Sequence, residues 1–163
     1  MSRILVCTYS RTGHTRRMGE IVAEAAAKVD TCRVDQKQIA EITPENLLDY
    51  DAIVLGSPTY YGTMAAEIKQ LLDNSVKIHG QLAGKVGGAF ASSANVGGGN
   101  ETTVLDLLKA MLIHGMIIPG SASGDHYGPV SVGQPDDRVV RQCENLGRIV
   151  AELAVRLSKQ GSE

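Results

Sequence analysis

Three cysteines, Cys7, Cys32 and Cys143, are odd in number, widely spaced and contain no C-x-x-C, which excludes a disulfide framework and a zinc knuckle and points to buried thiols. No apolar run approaches the ~20 residues that span a bilayer, so no integral membrane association is expected. The residues before the first apolar run also lack a signal-peptide core, and the expected location is cytoplasmic. Basic residues are in slight deficit, with a net charge of −2 and a pI near 6.1, which argues against nucleic acid as a partner. Tryptophan is missing and aromatics make up 4% of the chain, so the adjacent pair Tyr60 and Tyr61 stands out. No linker, repeat or low-complexity tract interrupts the sequence. No local Cys-His or Ser-His-Asp arrangement offers a nucleophile, and no metal site is expected.

What is present is a soluble composition, 43% apolar and 21% charged, with a mean hydropathy of −0.05. At 163 residues the chain reads as one domain, 1–163, able to bury roughly 70% of its unfolded surface. Runs rich in β-branched residues alternate with segments of helical period, the signature of βαβ units. Strands are predicted over 3–9, 31–36, 52–55, 85–91 and 116–118. The third is expected to stop at Gly56-Ser57-Pro58, because proline cannot continue a central ladder. Helices are predicted over 13–28, 43–48, 65–74 and 102–114, with a last one opening at Gln134-Pro135-Asp136-Asp137 and burying Val139, Cys143, Leu146, Val150, Leu153 and Leu157. Right-handed crossovers then favour a three-layer, doubly wound α/β fold with a five-stranded parallel sheet in order 2-1-3-4-5. That order gathers the loops after strands one, three and four around one crevice, and these are the loops of unusual composition.

The first is Ser10-Arg11-Thr12-Gly13-His14-Thr15, three hydroxyls and a glycine between a strand and a helix. Unpaired N–H groups and the positive end of the helix dipole make this an anion socket, with Arg11 as an outer charge. Neither G-x-x-x-x-G-K-[ST] nor G-x-G-x-x-G occurs there, which disfavours a triphosphate or a dinucleotide pyrophosphate. The second is Pro58-Thr59-Tyr60-Tyr61-Gly62, a stiffened turn with two aromatic rings, suited to a flat ligand. The third, Ser92-Ser93-Ala94-Asn95-Val96-Gly97-Gly98-Gly99, exposes successive backbone amides without side chains.

The pattern [ST]-x-T-G-x-T resembles the phosphate loop of the flavodoxin-like superfamily, which holds the phosphate of flavin mononucleotide (FMN). Taken with Gly56 to Met64, Ser92 to Thr102, His114-Gly115-Met116 and Tyr127-Gly128, the chain is similar along its length to the Trp repressor-binding-protein-like (WrbA-like) FMN-dependent NAD(P)H:quinone oxidoreductases. The resemblance implies that Ser10 to Thr15 hold the phosphate, Pro58 to Gly62 face the ring, Ser92 to Gly98 line its pyrimidine edge, and His114 lies near the flavin. It also implies a homo-dimer or homo-tetramer. Three features depart from it: no insertion separates strands two and three, Tyr60 stands where a basic residue is usual, and His79-Gly80 replace an aromatic segment.

The expected activity is two-electron, ping-pong transfer from NAD(P)H to a quinone through the flavin. His114, His126 and Tyr127 are the candidate proton donors, and His126, beyond strand five, is also a candidate for folding over the cofactor. A one-electron carrier docking onto redox proteins and a regulatory protein without catalysis are the alternatives. The charge is milder than a dedicated acidic carrier would have.

Overall fold

The computed structural model describes residues 1–160. In chain order the elements are β1 (Ser2–Thr8), α1 (His14–Ala26), β2 (Cys32–Gln38), β3 (Ala52–Tyr60), β4 (Thr63–Met64), α2 (Ala66–Asn74), β5 (Val86–Ser93), α3 (Asn100–Ile113), β6 (Val130–Val132) and α4 (Asp137–Gln160). The main sheet is parallel in the order β2-β1-β3-β5-β6, the 2-1-3-4-5 arrangement of a flavodoxin-like fold. Short 3-10 helices at Ile39–Glu41, Pro44–Asp49 and Ser75–Ile78 complete the connections, the second lying where a short helix over 43–48 is predicted.

Alternation along the central strands feeds two cores. Leu5, Cys7, Ile53, Leu55, Ala89 and Ala91 face α2 and α3, where Ile68, Leu71, Val104, Leu107 and Met111 close the layer. Ile4, Val6, Val54, Val86 and Phe90 face α1 and α4, meeting Met18, Val22, Cys143 and Val150. Both sheet faces are therefore covered, which is why the central strands read as continuous apolar runs. Phe90, the sole phenylalanine, fills the space over Gly56, where a Cβ would come within 2.2 Å of its ring. Burial pushes the Cys7 and Cys143 thiols up to about 12, while Cys32 is half-buried. Among the described residues no helix is long and apolar enough to cross a membrane.

Two strand assignments need correction. β3 does not end before Pro58: its pairing with β1 stops at Thr8↔Gly56, whereas its pairing with β5 continues to Pro58↔Ser92. On the side where the proline has no N–H to offer, β3 is already an edge. The fifth strand position is split. Residue Ile117 makes only a bridge to Val86, and Val130–Val132 pairs with Ala91 to Ser93, so 119–129 form an excursion between two half-strands.

Candidate functional site

At the carboxyl end of β1, Gly13 caps α1 with φ +96°, and its N–H donates to Ser10 Oγ at 3.1 Å. The first intrahelical bond runs from Arg17 N–H to Gly13 O at 2.9 Å, which leaves the N–H groups of His14, Thr15 and Arg16 without a helical acceptor. No acidic side chain occupies the first turn, so the positive end of the dipole is uncompensated. Arg11 and Thr12 are exposed at the mouth. Arg16, which local sequence did not single out, lies against the loop, its Nη2 3.7 Å from where a Cβ on Gly13 would sit. Thr15 differs from its neighbours. Its hydroxyl turns inward and pairs with Ser92 Oγ at 2.8 Å.

β3 turns back through Tyr61-Gly62 into β4, with Thr59 opposite Met64 and Tyr60 opposite Thr63. Ser57, wholly buried, receives the Ala65 N–H at 2.9 Å and donates to Pro58 O at 2.7 Å, tying this hairpin to the start of α2. The Tyr60 ring meets the edge of Tyr9 at 6.4 Å and 79°, whereas Tyr61 is fully exposed. The Glu67 carboxylate, accepting from the Tyr9 hydroxyl, raises that phenol above its ordinary range.

The third loop is braced by its own polar groups. Ser93 Oγ donates to Asn95 O at 3.0 Å and accepts from Asn100 Nδ2 at 3.1 Å, and Gly98 N–H closes a turn onto Asn95 O at 3.1 Å. Ala94, Asn95, Val96, Gly97 and Gly98 are exposed or partly exposed, with Val96 at the tip. Gly99 packs directly on Gly62, since a Cβ there would lie 2.7 Å from the Gly62 Cα. Thr102 donates to Gly62 O at 2.8 Å, and Thr103 Oγ1 lies 3.1 Å from Thr59 Oγ1. The three loops thus form one connected rim.

His126 and Tyr127 lie on the excursion between Ile117 and β6. With Gly124, Asp125 and Gly128 they border a cavity of about 190 Å³ against Glu101 and Val104 of α3. The His126 Nδ1 donates to Ser121 O at 2.8 Å, Nε2 has no such bond among the described residues, and the ring is exposed. Asp125 anchors the excursion, accepting from Val130 N–H at 3.0 Å and from Arg138 Nη1 at 2.6 Å.

His114 is not brought to this rim. It follows the last turn of α3, about 20 Å from that helix's first turn, next to Gly115, whose carbonyl accepts from Gly84 N–H at 3.0 Å before β5 begins. Ser75 spends its hydroxyl hydrogen on Leu72 O at 2.6 Å, so the 2.8 Å contact between Ser75 Oγ and His114 Nε2 has the imidazole donating. Burial, and then the nearby His79, lower the His114 pKa, consistent with a neutral ring. Tyr9, Arg16 and Thr103 are rim residues that sequence reasoning missed, Tyr9 directly before a predicted motif and Thr103 directly after one, whereas Ser57 and Thr102 lie within the motifs already quoted, though without an assigned role.

The fold and the shape of this rim define a flavodoxin-like protein. The chain belongs to the NADPH-dependent FMN reductase family, whose model matches residues 30–128. A Sinorhizobium fredii protein named NAD(P)H dehydrogenase (quinone) is 40% identical over 198 aligned positions, covering 97% of this chain and 100% of the relative. A namesake from Archaeoglobus fulgidus is 36% identical, covering 96% and 100%, and an Aquifex aeolicus protein named flavodoxin is 34% identical, covering 93% and 86%. The 198 positions exceed the 163 residues here, so the first relative carries segments that this chain lacks. Among solved structures, a flavodoxin, WrbA-like protein from Agrobacterium tumefaciens superposes with a TM-score of 0.80 at 27% identity, covering 96% of this chain and 99% of that one.

Proposed function

We propose that this chain binds FMN across the rim and works as an NAD(P)H:quinone oxidoreductase. The observation that carries the reading is the convergence of an anion-binding helix terminus, an aromatic hairpin and an amide-rich loop on the carboxyl ends of β1, β3 and β5, joined through Thr15 and Ser92 and through Thr102 and Gly62. The donor set fits the cofactor. Free N–H groups of His14, Thr15 and Arg16, with the Thr12 hydroxyl, suit a phosphate monoester, and Arg11 and Arg16 add positive charge. Tyr60, backed by Tyr9, offers a wall for a flat ring, and the exposed amides of 94–97 suit the acceptor carbonyls of a pyrimidine edge.

FMN, when bound, supplies the acceptor and donor of a hydride equivalent, so the protein's work is positioning and electrostatics. The first turns of α1 and α3 direct positive dipole ends at the rim, where negative charge gathers on reduction. His126 Nε2 and the Tyr127 hydroxyl, on the excursion beside α3, are the groups this reading assigns to proton transfer with a quinone oxygen. The distance of His114 from the rim argues against that role within one chain.

The relative named flavodoxin keeps a one-electron carrier as the alternative. Stopped-flow mixing of FMN-loaded protein with NADH or NADPH and then benzoquinone separates the two: bleaching followed by rapid return of the yellow colour is expected of the reductase. Failure to bleach with either nucleotide removes the enzymatic reading, and failure to retain or quench FMN removes the flavin site as well.

A further inference from the structure

The Tyr60 to Thr63 hairpin has a two-residue loop in which both central residues have positive φ, +50° at Tyr61 and +79° at Gly62. That is a type I′ turn, whose first central position favours Asn, Asp or Gly. A tyrosine there sits in a sparsely populated region, and because Tyr61 is fully exposed no packing of its own ring compensates. Something else must hold the turn. One face of α3 does so at residues spaced by three and four along the helix. Gly99 packs on the Gly62 Cα, Thr102 Oγ1 shares its hydrogen between Gly62 O at 2.8 Å and Gly99 O at 2.9 Å, Thr103 Oγ1 approaches Thr59 Oγ1 at 3.1 Å, and Asp106 Oδ2 accepts from Thr63 Oγ1 at 2.6 Å.

Two constraints follow for the backbone. The Thr102 contact, with the Tyr60–Thr63 pairing and the Thr63 bond to Asp106, holds the peptide between Gly62 and Thr63, leaving the peptide between Tyr61 and Gly62 as the one to reverse. Reversal would convert the I′ turn into type II′, whose first central residue is ordinarily glycine. Tyr61 closes that route, so the hairpin has one available state.

We propose that Thr102 is a positioning residue which, together with the side chain of Tyr61, locks the hairpin tip in a single turn conformation and thereby sets how the Tyr61–Gly62 peptide meets the bound cofactor. The inference rests on the flavin reading for its consequence but not for its geometry. A rigid tip offers the same hydrogen-bonding group to oxidised and reduced ring, so it tunes affinity and potential without rearranging during turnover.

The test has a cofactor-free arm and a loaded arm. In the apo protein the Gly62 amide is expected to give one sharp NMR resonance. Tyr61→Gly, which opens the II′ turn, and Thr102→Val, which removes the latch at nearly constant volume, should each broaden or double it, while Thr102→Ser restores the single peak. In FMN-loaded protein, Thr102→Val is expected to weaken binding by about fivefold to tenfold, the worth of one hydrogen bond, and to shift the midpoint potential, with Thr102→Ser again resembling the parent. An unchanged Gly62 resonance in a folded Thr102→Val variant overturns the lock. An altered resonance with an unchanged potential overturns its role toward the cofactor. Absence of FMN binding in the parent chain sinks the flavin reading while the apo arm still decides the lock.

Discussion

The hydroxyls of Thr15 and Ser92 lie 2.8 Å apart in the interior and join the first turn of α1 to the end of β5. Thr15→Val keeps the shape and strands the Ser92 hydroxyl, which should cost about 1–3 kcal/mol of folding stability. Urea unfolding of the apo protein checks this. In the double variant with Ser92→Ala the second substitution should cost little, because the group left unpaired is gone. Strict additivity of the two losses would mean that the bond does not couple the loops.

Thr12 is exposed at the mouth of the same loop, where its hydroxyl can reach an anion. Thr12→Val should leave unfolding unchanged, raise the dissociation constant for FMN by about tenfold, and hardly touch riboflavin, which lacks the phosphate. Fluorescence quenching with both ligands measures it. Equal losses for both would put the wrong end of the cofactor in this loop.

The sheet order and the three rim loops were legible because parallel strands buried on both faces must be apolar throughout, as Ile4 to Cys7 and Ala52 to Leu55 are, and because glycine and hydroxyl clusters interrupt that pattern only at the rim. Pro58 was misjudged because its tolerance depends on where β1 stops, a register between strands that local sequence does not encode. The split fifth strand hides for the same reason: Ile117 and Val130 meet opposite ends of β5. The position of His114 in the fold was legible too. A helix that leaves the rim must descend past the sheet, so its last residue belongs to the far end. The stripe at Gly99, Thr102, Thr103 and Asp106 has helical spacing, but nothing local announces that a hairpin packs on it.

His114 should govern stability rather than the flavin. Its folded pKa lies below the ordinary 6.5, because burial and His79 disfavour the charged ring. The unfolded chain therefore binds the proton more readily, and the contribution, complete above pH 6.5, should be lost as pH falls from there through the lower folded pKa. Urea midpoints measured between pH 7.5 and 5 should drop for the parent and flatten for His114→Asn, with FMN affinity at pH 7.5 little changed in the variant. A large loss of FMN affinity in a folded, monomeric His114→Asn protein would return the residue to the flavin site.

Asp125 and Arg138 grip Val130 from both directions, since Asp125 Oδ2 accepts its N–H at 3.0 Å, Arg138 Nη2 donates to its carbonyl at 2.8 Å, and the two side chains pair at 2.6 Å. The Arg138 side chain is 48% exposed, so the ion pair alone is worth little, and the bonds to Val130 carry the constraint. Arg138→Gln should therefore lower global stability only slightly while speeding amide exchange at Val130 and Gly128, because the excursion that bears His126 and Tyr127 loses its tie to α4. If the proton donors of the quinone reaction sit there, the same variant should lower kcat for quinone reduction severalfold while leaving flavin bleaching by the nucleotide near the parent rate. Equal slowing of both half-reactions would remove His126 and Tyr127 from proton transfer and make the excursion a general wall of the site.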